Sequence, residues 1–298
     1  MNRKIIVAIY GKLVLMAFFW GGTFIAGRML ARHAAPLSAA FFRFAIASVF
    51  LLAILRLEEG PLRFPQGRQI LISVILGLTG AFAYNYFFLT GLREITAGRA
   101  ALIVASNPVF IALFAWAILR EPLRWFNAAG ILLCLVGASV VITRGDLSMI
   151  VRGGLGRGEF AIMGCVASWV AYSLIGKTAM RTLSPLAAVA YSCIAGAALL
   201  FPAALGEGLA GEIASYGIAD WASLAYLGIF GTVLGFTWYY QGIKALGASR
   251  AAAFINLVPL CAVVLGWFLL DESVDWSLLF GAVLVLTGVS LANKGRIR

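Results

Sequence analysis

Apolar residues run down this chain in ten stretches of roughly twenty, the length that crosses a hydrocarbon core, and charges gather in the short breaks between them. The stretches cover residues 12–31, 37–55, 69–92, 97–119, 123–142, 158–178, 185–206, 220–242, 248–270 and 274–293. Runs of this length predict helices, because a membrane barrel strand would show only about ten alternating residues.

The last five stretches repeat the first five. At an offset of 151, Gly80 recurs as Gly231, Gly91 as Gly242, Arg99 as Arg250, Pro108 as Pro259, Glu121 as Glu272 and Trp125 as Trp276. At an offset of 149, Trp20 matches Trp169, Gly27 matches Gly176, and Pro36-Leu37 match Pro185-Leu186. The chain therefore reads as an all-α integral membrane protein with ten transmembrane helices. Residues 1–145 form one five-helix repeat, 146–157 an external linker and 158–298 the second repeat. Because five is odd, the second unit enters the membrane from the opposite face. Inverted repeats of this kind build secondary transporters with the solute near the midplane between them.

Composition supports the membrane reading. The 298 residues are 62% hydrophobic and 12% charged, against about 25% charged in soluble domains; mean hydropathy is +0.98. The net charge of +11 would point to nucleic acid in a soluble protein, but here it reports topology, since Lys and Arg collect on the cytoplasmic side. With the N-terminus inside, fifteen basic residues fall on that side and six on the other, Arg28 and Arg43 being left out as intramembrane. The loops near 207–220 and 271–275 carry only acids and fall outside. Both termini are expected in the cytoplasm, and no nucleic-acid partner is expected. The first apolar run lacks an evident cleavage site and reads as a retained helix.

Several residues stand out as candidates. Pro108 and Pro259 lie at matching places inside apolar runs, where each withholds a hydrogen bond from the carbonyl four residues back, that of Val104 or Ile255. Asn107 and Asn256 are their polar neighbours. These prolines read equally well as hinges or as static kinks. Gly80 and Gly231 belong to glycine stripes that let helices approach and bend. Each stripe carries one tyrosine, Tyr84 or Tyr239, that would face a cavity or bond to a neighbouring helix. Trp20 and Trp169, the latter sharing a face with Tyr172, lie too deep for ordinary interface anchors, whereas Trp125 and Trp276 at helix starts read as belt residues.

Intramembrane charge is sparse. Arg43 lies about two turns into the second stretch, with Ser192 at the equivalent place. Its forked donors would suit a carboxylate-bearing solute, although snorkelling to the outer headgroups weighs slightly more. Arg99 and Arg250 read as loop anchors ahead of anion recruiters, and Glu121 and Glu272 as helix-start caps. No acid lies deep in a stretch and the single histidine, His33, is in a loop, which speaks against a proton relay. Cys134, Cys165, Cys193 and Cys261 all fall in apolar runs and read as packing residues rather than disulfides or metal ligands. No nucleophile–base pair or metal cluster is evident, so neither catalysis nor a cofactor is expected. The glycine-rich linker lacks the strand and the Lys-Ser/Thr ending of a phosphate cradle.

Gly158-Glu159, followed by Ala167, Trp169 and Tyr172, resembles the opening of the second repeat in EamA-type proteins of the drug/metabolite transporter superfamily. Leu119-Arg120-Glu121-Pro122-Leu123 with Gly130 and Gly137 looks like that family's closing segment, and Leu270-Asp271-Glu272 with Gly281 and Gly288 repeats it. The similarity covers essentially the whole chain. It implies a ten-helix carrier of the bacterial cytoplasmic membrane exporting amino acids or related metabolites, most similar to aromatic amino acid exporters of the YddG type. On that basis the substrate-binding set is Trp20, Arg43, Tyr84, Asn107, Trp169, Tyr172, Tyr239 and Asn256, with Pro108, Pro259, Gly80 and Gly231 as hinges. Two alternatives stand beside it: a cation or drug efflux carrier, disfavoured by the lack of a buried acid, and a membrane-embedded lipid-modifying enzyme, disfavoured because Glu121 and Glu272 lack companion ligands.

Overall fold

The computed structural model describes residues 3–62, 64–107, 109–111, 113–114, 125–146, 156–246, 251 and 254–292, and among these there is no strand. In chain order the helices are α1 (Arg3–Ala31), α2 (Pro36–Glu59), α3 (Arg68–Glu94), α4 (Ala97–Val104), α5 (Trp125–Ile142), α6 (Arg157–Ala179), α7 (Pro185–Gly206), α8 (Leu209–Ser215), α9 (Ile218–Leu246), α10 (Val258–Leu270) and α11 (Trp276–Ala292). Six of them, α1, α2, α3, α6, α7 and α9, are long and apolar enough to cross a membrane. The remaining apolar helical segments, Ala97–Ile111, Ala128–Val141, Phe254–Leu270 and Trp276–Gly288, are shorter. Helix α8, in the loop after α7, was not visible in the apolar pattern, because it is short and carries too few apolar positions.

Local chemistry sets the helix starts. Pro36 and Pro185 open α2 and α7, where a missing N–H costs nothing. The Ser184 side chain accepts from the Ala187 N–H at 3.0 Å.

The equivalent helices of the two halves run antiparallel. Glu207, just past the end of α7, accepts from the Leu37 and Ser38 N–H groups at the start of α2, both at 2.9 Å. Phe41 meets Phe201 at 5.4 Å farther along, and at the other end Ser184 donates to Glu59. Likewise α5 and α11 cross through glycines: a Cβ on Gly137 would stand 2.7 Å from Val285 N, and one on Gly288 would meet Cys134. The contacts between halves come in matched sets: α1 packs on the end of α9 as α6 packs on the end of α3, and the middle of α3 lies on α7 as that of α9 lies on α2.

Two departures from regular helix are themselves duplicated. In α3 the turns Gly77–Ala83 widen to π-helix, and in α9 the turns Leu227–Leu234 do the same. Gly77 there lies against the α7 backbone, its Cβ position being 2.6 Å from Gly196 N, so no larger residue fits. Near the prolines, regular α-helix is interrupted among the described residues. Helix α4 ends at Val104, the chain turns at Ala105–Ser106 and becomes helical again at Asn107. In the second half Phe254–Leu257 is a 3-10 turn and Pro259 stands in the first turn of α10. Pro259 is thus at a helix start, where proline is tolerated, rather than in mid-helix as expected. Pro108, Glu121 and Arg250 lie outside the described residues.

Candidate functional site

Where the two halves meet, the equivalent tryptophans face each other. Trp20 and Trp169 pack edge to face at 5.5 Å and 89°. The Trp20 indole N–H donates to the Gly231 carbonyl in the π segment of α9 at 2.9 Å. Phe236 closes on both rings, at 6.0 Å from Trp20 and 5.3 Å from Trp169. Tyr84 packs on Trp169 at 5.4 Å and stacks on Phe88 at 5.7 Å. Phe24 completes this wall against Phe88 at 5.2 Å.

These rings border a central cavity of about 40 Å³, whose other walls are Thr23, Arg43, Val104, Asn107, Ile255 and Val258. Such a volume holds only a few water molecules, at ~10–15 Å³ for each. Ligand pockets of about 300–1,000 Å³ are far larger. The space is therefore too small for a metabolite-sized solute in this structure, and such a solute fits only when helices part.

Arg43 is the charged element of the wall and does not snorkel. It is 4% exposed. Its Nε donates to Thr232 Oγ1 at 3.0 Å and its Nη1 to Asn85 Oδ1 at 2.8 Å. Both acceptors are tied to widened turns: Asn85 Nδ2 donates to the Gly80 and Ala81 carbonyls at 3.2 and 2.9 Å, and Thr232 Oγ1 to the Leu227 carbonyl at 3.0 Å. The π segments thus fix the guanidinium between one residue from each half, in a medium where leaving it unbonded would be costly.

Of the residues predicted from sequence, Trp20, Arg43, Tyr84, Asn107 and Trp169 border the cavity. Tyr172 and Tyr239 are packed behind the wall: Tyr172 lies over Gly80 and stacks on Tyr240 at 5.8 Å, and Tyr239 backs Trp20 at 5.4 Å. Asn256 sits in the 3-10 turn and does not border the cavity. Gly80 and Gly231 both fall inside π segments. Sequence reasoning passed over Asn85 and Thr232. A polar amide between two tyrosines in an apolar run was the visible sign of Asn85; a threonine in a glycine stripe gave none.

One end of the molecule is tied by a polar network. Glu272 accepts from the Ala97 and Gly98 N–H groups at 2.9 and 3.3 Å, so it caps α4 in the other half, not its own helix. Arg28 lies 4.0 Å from the same carboxylate and donates to the Leu92 carbonyl. Arg99 pairs with Asp275 and donates to the Val141 carbonyl at the end of α5, an anchoring role. Burial works to raise the Asp275 carboxyl, but hydrogen bonds from Ser277 and Leu278 together with the Arg99 charge outweigh it and hold it below the ordinary range. Glu212 accepts from the Ala35 N–H at 2.8 Å, and His33 bonds Asp220 at 2.6 Å. Among the described residues the opposite end has lighter ties, such as Lys12 to Gln241 at 3.0 Å.

A model of the EamA-like transporter family matches residues 7–143 and again 156–294. An uncharacterised transporter, YyaM of Bacillus subtilis, is 30% identical over 290 residues, covering 97% of this chain and 94% of its own. A probable terminal-alkyne amino-acid exporter of Streptantibioticus cattleyicolor is 27% identical, over 95% of this chain and 92% of its own. An S-adenosylmethionine/S-adenosylhomocysteine transporter of Chlamydia trachomatis is 28% identical, over 96% and 89%. A solved protein structure shares the fold with a TM-score of 0.67 at 21% identity, covering 98% of this chain and 97% of that one.

Proposed function

This chain belongs to the EamA-like transporter family and is a multi-pass membrane transporter, not an enzyme, and we propose that it exports amino acids, aromatic and other apolar ones included, across the bacterial cytoplasmic membrane. The observation that carries this reading is the central cavity, walled by aromatic rings from both halves and holding a buried arginine. The name of the amino-acid exporter among the relatives supports it.

In this reading ten helices cross the membrane as two inverted repeats, 1–145 and 158–298, joined by an external linker at 146–157. The antiparallel course of α2 against α7 and of α5 against α11 supports the inversion. Both termini lie in the cytoplasm, which places the polar network of Glu272, Arg99 and Asp275 at the outer mouth. Solute enters from the cytoplasm, sheds water against Trp20, Tyr84 and Trp169, and leaves when the halves exchange packing. Asn107 and Arg43 meet its polar groups, while Tyr172, Tyr239 and Asn256 join the lining as the cavity widens. Bending is taken up at the π turns holding Gly80 and Gly231 and at the breaks beside Pro108 and Pro259, between states separated by a few kcal/mol.

Purified protein in liposomes provides the test. Labelled phenylalanine, leucine and other amino acids should cross faster than in empty liposomes. Equal rates for every amino acid tried, under both gradient directions, would rule the reading out.

A further inference from the structure

Arg43 carries a full positive charge into the cavity wall with neutral partners only. Asn85 and Thr232 use Nε and Nη1. Nη2 lies over Gly231, 3.4 Å from where a Cβ would stand, and has no hydrogen-bond partner among the described residues. No carboxylate pairs with Arg43 among those residues either. A desolvated guanidinium without a counter-charge is costly, and its planar fork suits a carboxylate.

A second, independent observation concerns the opposite charge. The Asn107 side chain is 1% exposed, borders the same cavity, and its Oδ1 accepts no hydrogen bond. It stands just past the end of α4, where the last carbonyls of a helix carry partial negative charge. Among them the Val104 carbonyl lacks the N–H four residues on that a continuous helix would supply, because residue 108 is a proline. Val104 also borders the cavity. A buried amide oxygen with no donor, at the negative end of a half-helix, suits an ammonium group.

We propose that Arg43 and Asn107 together read a zwitterion: Arg43 takes the carboxylate of a free α-amino acid, and Asn107 with the end of α4 takes its ammonium. The apolar side chain then lies against Trp20, Trp169 and Phe236. This deepens the amino-acid carrier reading and rests on it. An analogue lacking either charge leaves one of these buried groups unpaired, and sites built to bond a substrate group reject analogues without it by large factors.

The test uses the intact protein in liposomes, with labelled phenylalanine in counterflow against unlabelled competitors. Phenylalanine and leucine should compete, whereas phenylethylamine, 3-phenylpropionate and N-acetylphenylalanine should be roughly 100-fold weaker or worse. Arg43→Gln should cut phenylalanine transport by at least about tenfold and raise the relative acceptance of phenylethylamine, with Arg43→Lys in between. Asn107→Ala removes an oxygen with no partner, so it should fold, and it should raise the relative acceptance of 3-phenylpropionate. If phenylalanine moves but phenylethylamine competes equally, or both variants keep the wild-type ranking of competitors, the zwitterion assignment is wrong and the carrier reading stands. If no amino acid moves in wild-type protein, both fall. Should Arg43→Gln fail to fold, the wild-type competitor ranking and Asn107→Ala still decide.

Discussion

Trp20 and Trp169 occupy equivalent places in the two halves and meet edge to face at the border of the central cavity, 5.5 Å apart at 89°. Edge-to-face pairs of this kind contribute about 0.5–1.5 kcal/mol beyond the area they bury. The contact therefore joins the halves weakly enough to part during a transport cycle. Exchanging Trp169 or Tyr84 for leucine keeps apolar bulk but removes the aromatic face. We expect the apparent KM for aromatic amino acids to rise about three- to tenfold in both variants, by the same magnitude of ring contact. Kinetics of liposome uptake check this, and unchanged kinetics in both would remove these rings from the solute path.

Trp20→Phe tests the link to the π segment. The variant keeps a ring but loses the indole donor to the Gly231 carbonyl. A buried acceptor left without its donor costs about 1–3 kcal/mol. The melting temperature in detergent should fall by several degrees, and a melt identical to wild type would show that the carbonyl finds another donor.

Gly77→Val should destabilise strongly. Its Cβ would stand 2.6 Å from Gly196 N and 2.9 Å from Ser192 O, both backbone atoms that cannot swing aside. Overpacking of this kind costs about 1–3 kcal/mol or more. Gly11→Ala is the control, since nothing lies within 4 Å of its Cβ position and alanine favours helix by about 1 kcal/mol. Thermal melts should separate the two variants in opposite directions.

Glu272→Ala uncaps α4 and deprives Arg28 of its acid. A lost cap costs about 0.5–2 kcal/mol. With the end of α4 freed, an Ala97→Cys thiol, buried in the parent, should react with a membrane-impermeant maleimide faster in the Glu272→Ala background. Equal labelling rates would show that other contacts hold this end shut.

The Asp275–Arg99 pair makes a pH prediction. The folded Asp275 carboxyl is held below its ordinary value of about 3.9. Its stabilising contribution is therefore complete above roughly pH 4 and is lost as pH falls through the depressed folded value. The Asp275 side chain is 43% exposed, so solvent screening limits the contribution to about 0.5 kcal/mol. Asp275→Asn should remove this part of the acid dependence of the melt and leave the neutral-pH melt within a few degrees of wild type.

Much of the architecture was legible in the residues. The apolar runs located each of the six long helices among the described residues, because lipid leaves few other places for such segments. The repeat offsets paired the halves, since duplicated helices keep their packing glycines and prolines. Trp20, Arg43, Tyr84, Asn107 and Trp169, which border the central cavity, stood out as candidates because aromatic, charged and amide groups are conspicuous in apolar sequence. What the linear order left undecided was where those groups point. Tyr84 and Tyr239 lie on matching glycine stripes but one turn apart by the 151-residue offset, and only the packing shows that the first borders the cavity while the second backs Trp20.

The order of residues by itself determined a membrane chain of two homologous halves, because hydrophobic length and self-similarity are properties of the string. Only the tertiary structure decided that Arg43 lies between Asn85 and Thr232 instead of reaching for the headgroups. It also decided that Glu272 caps a helix in the other half, and that the central space is too small for a solute. The physical reason is common to all three. Each depends on contacts between segments far apart in the chain, hydrogen bonds for Arg43 and Glu272 and ring packing for the central space, and no periodicity along a single helix encodes which distant group meets which.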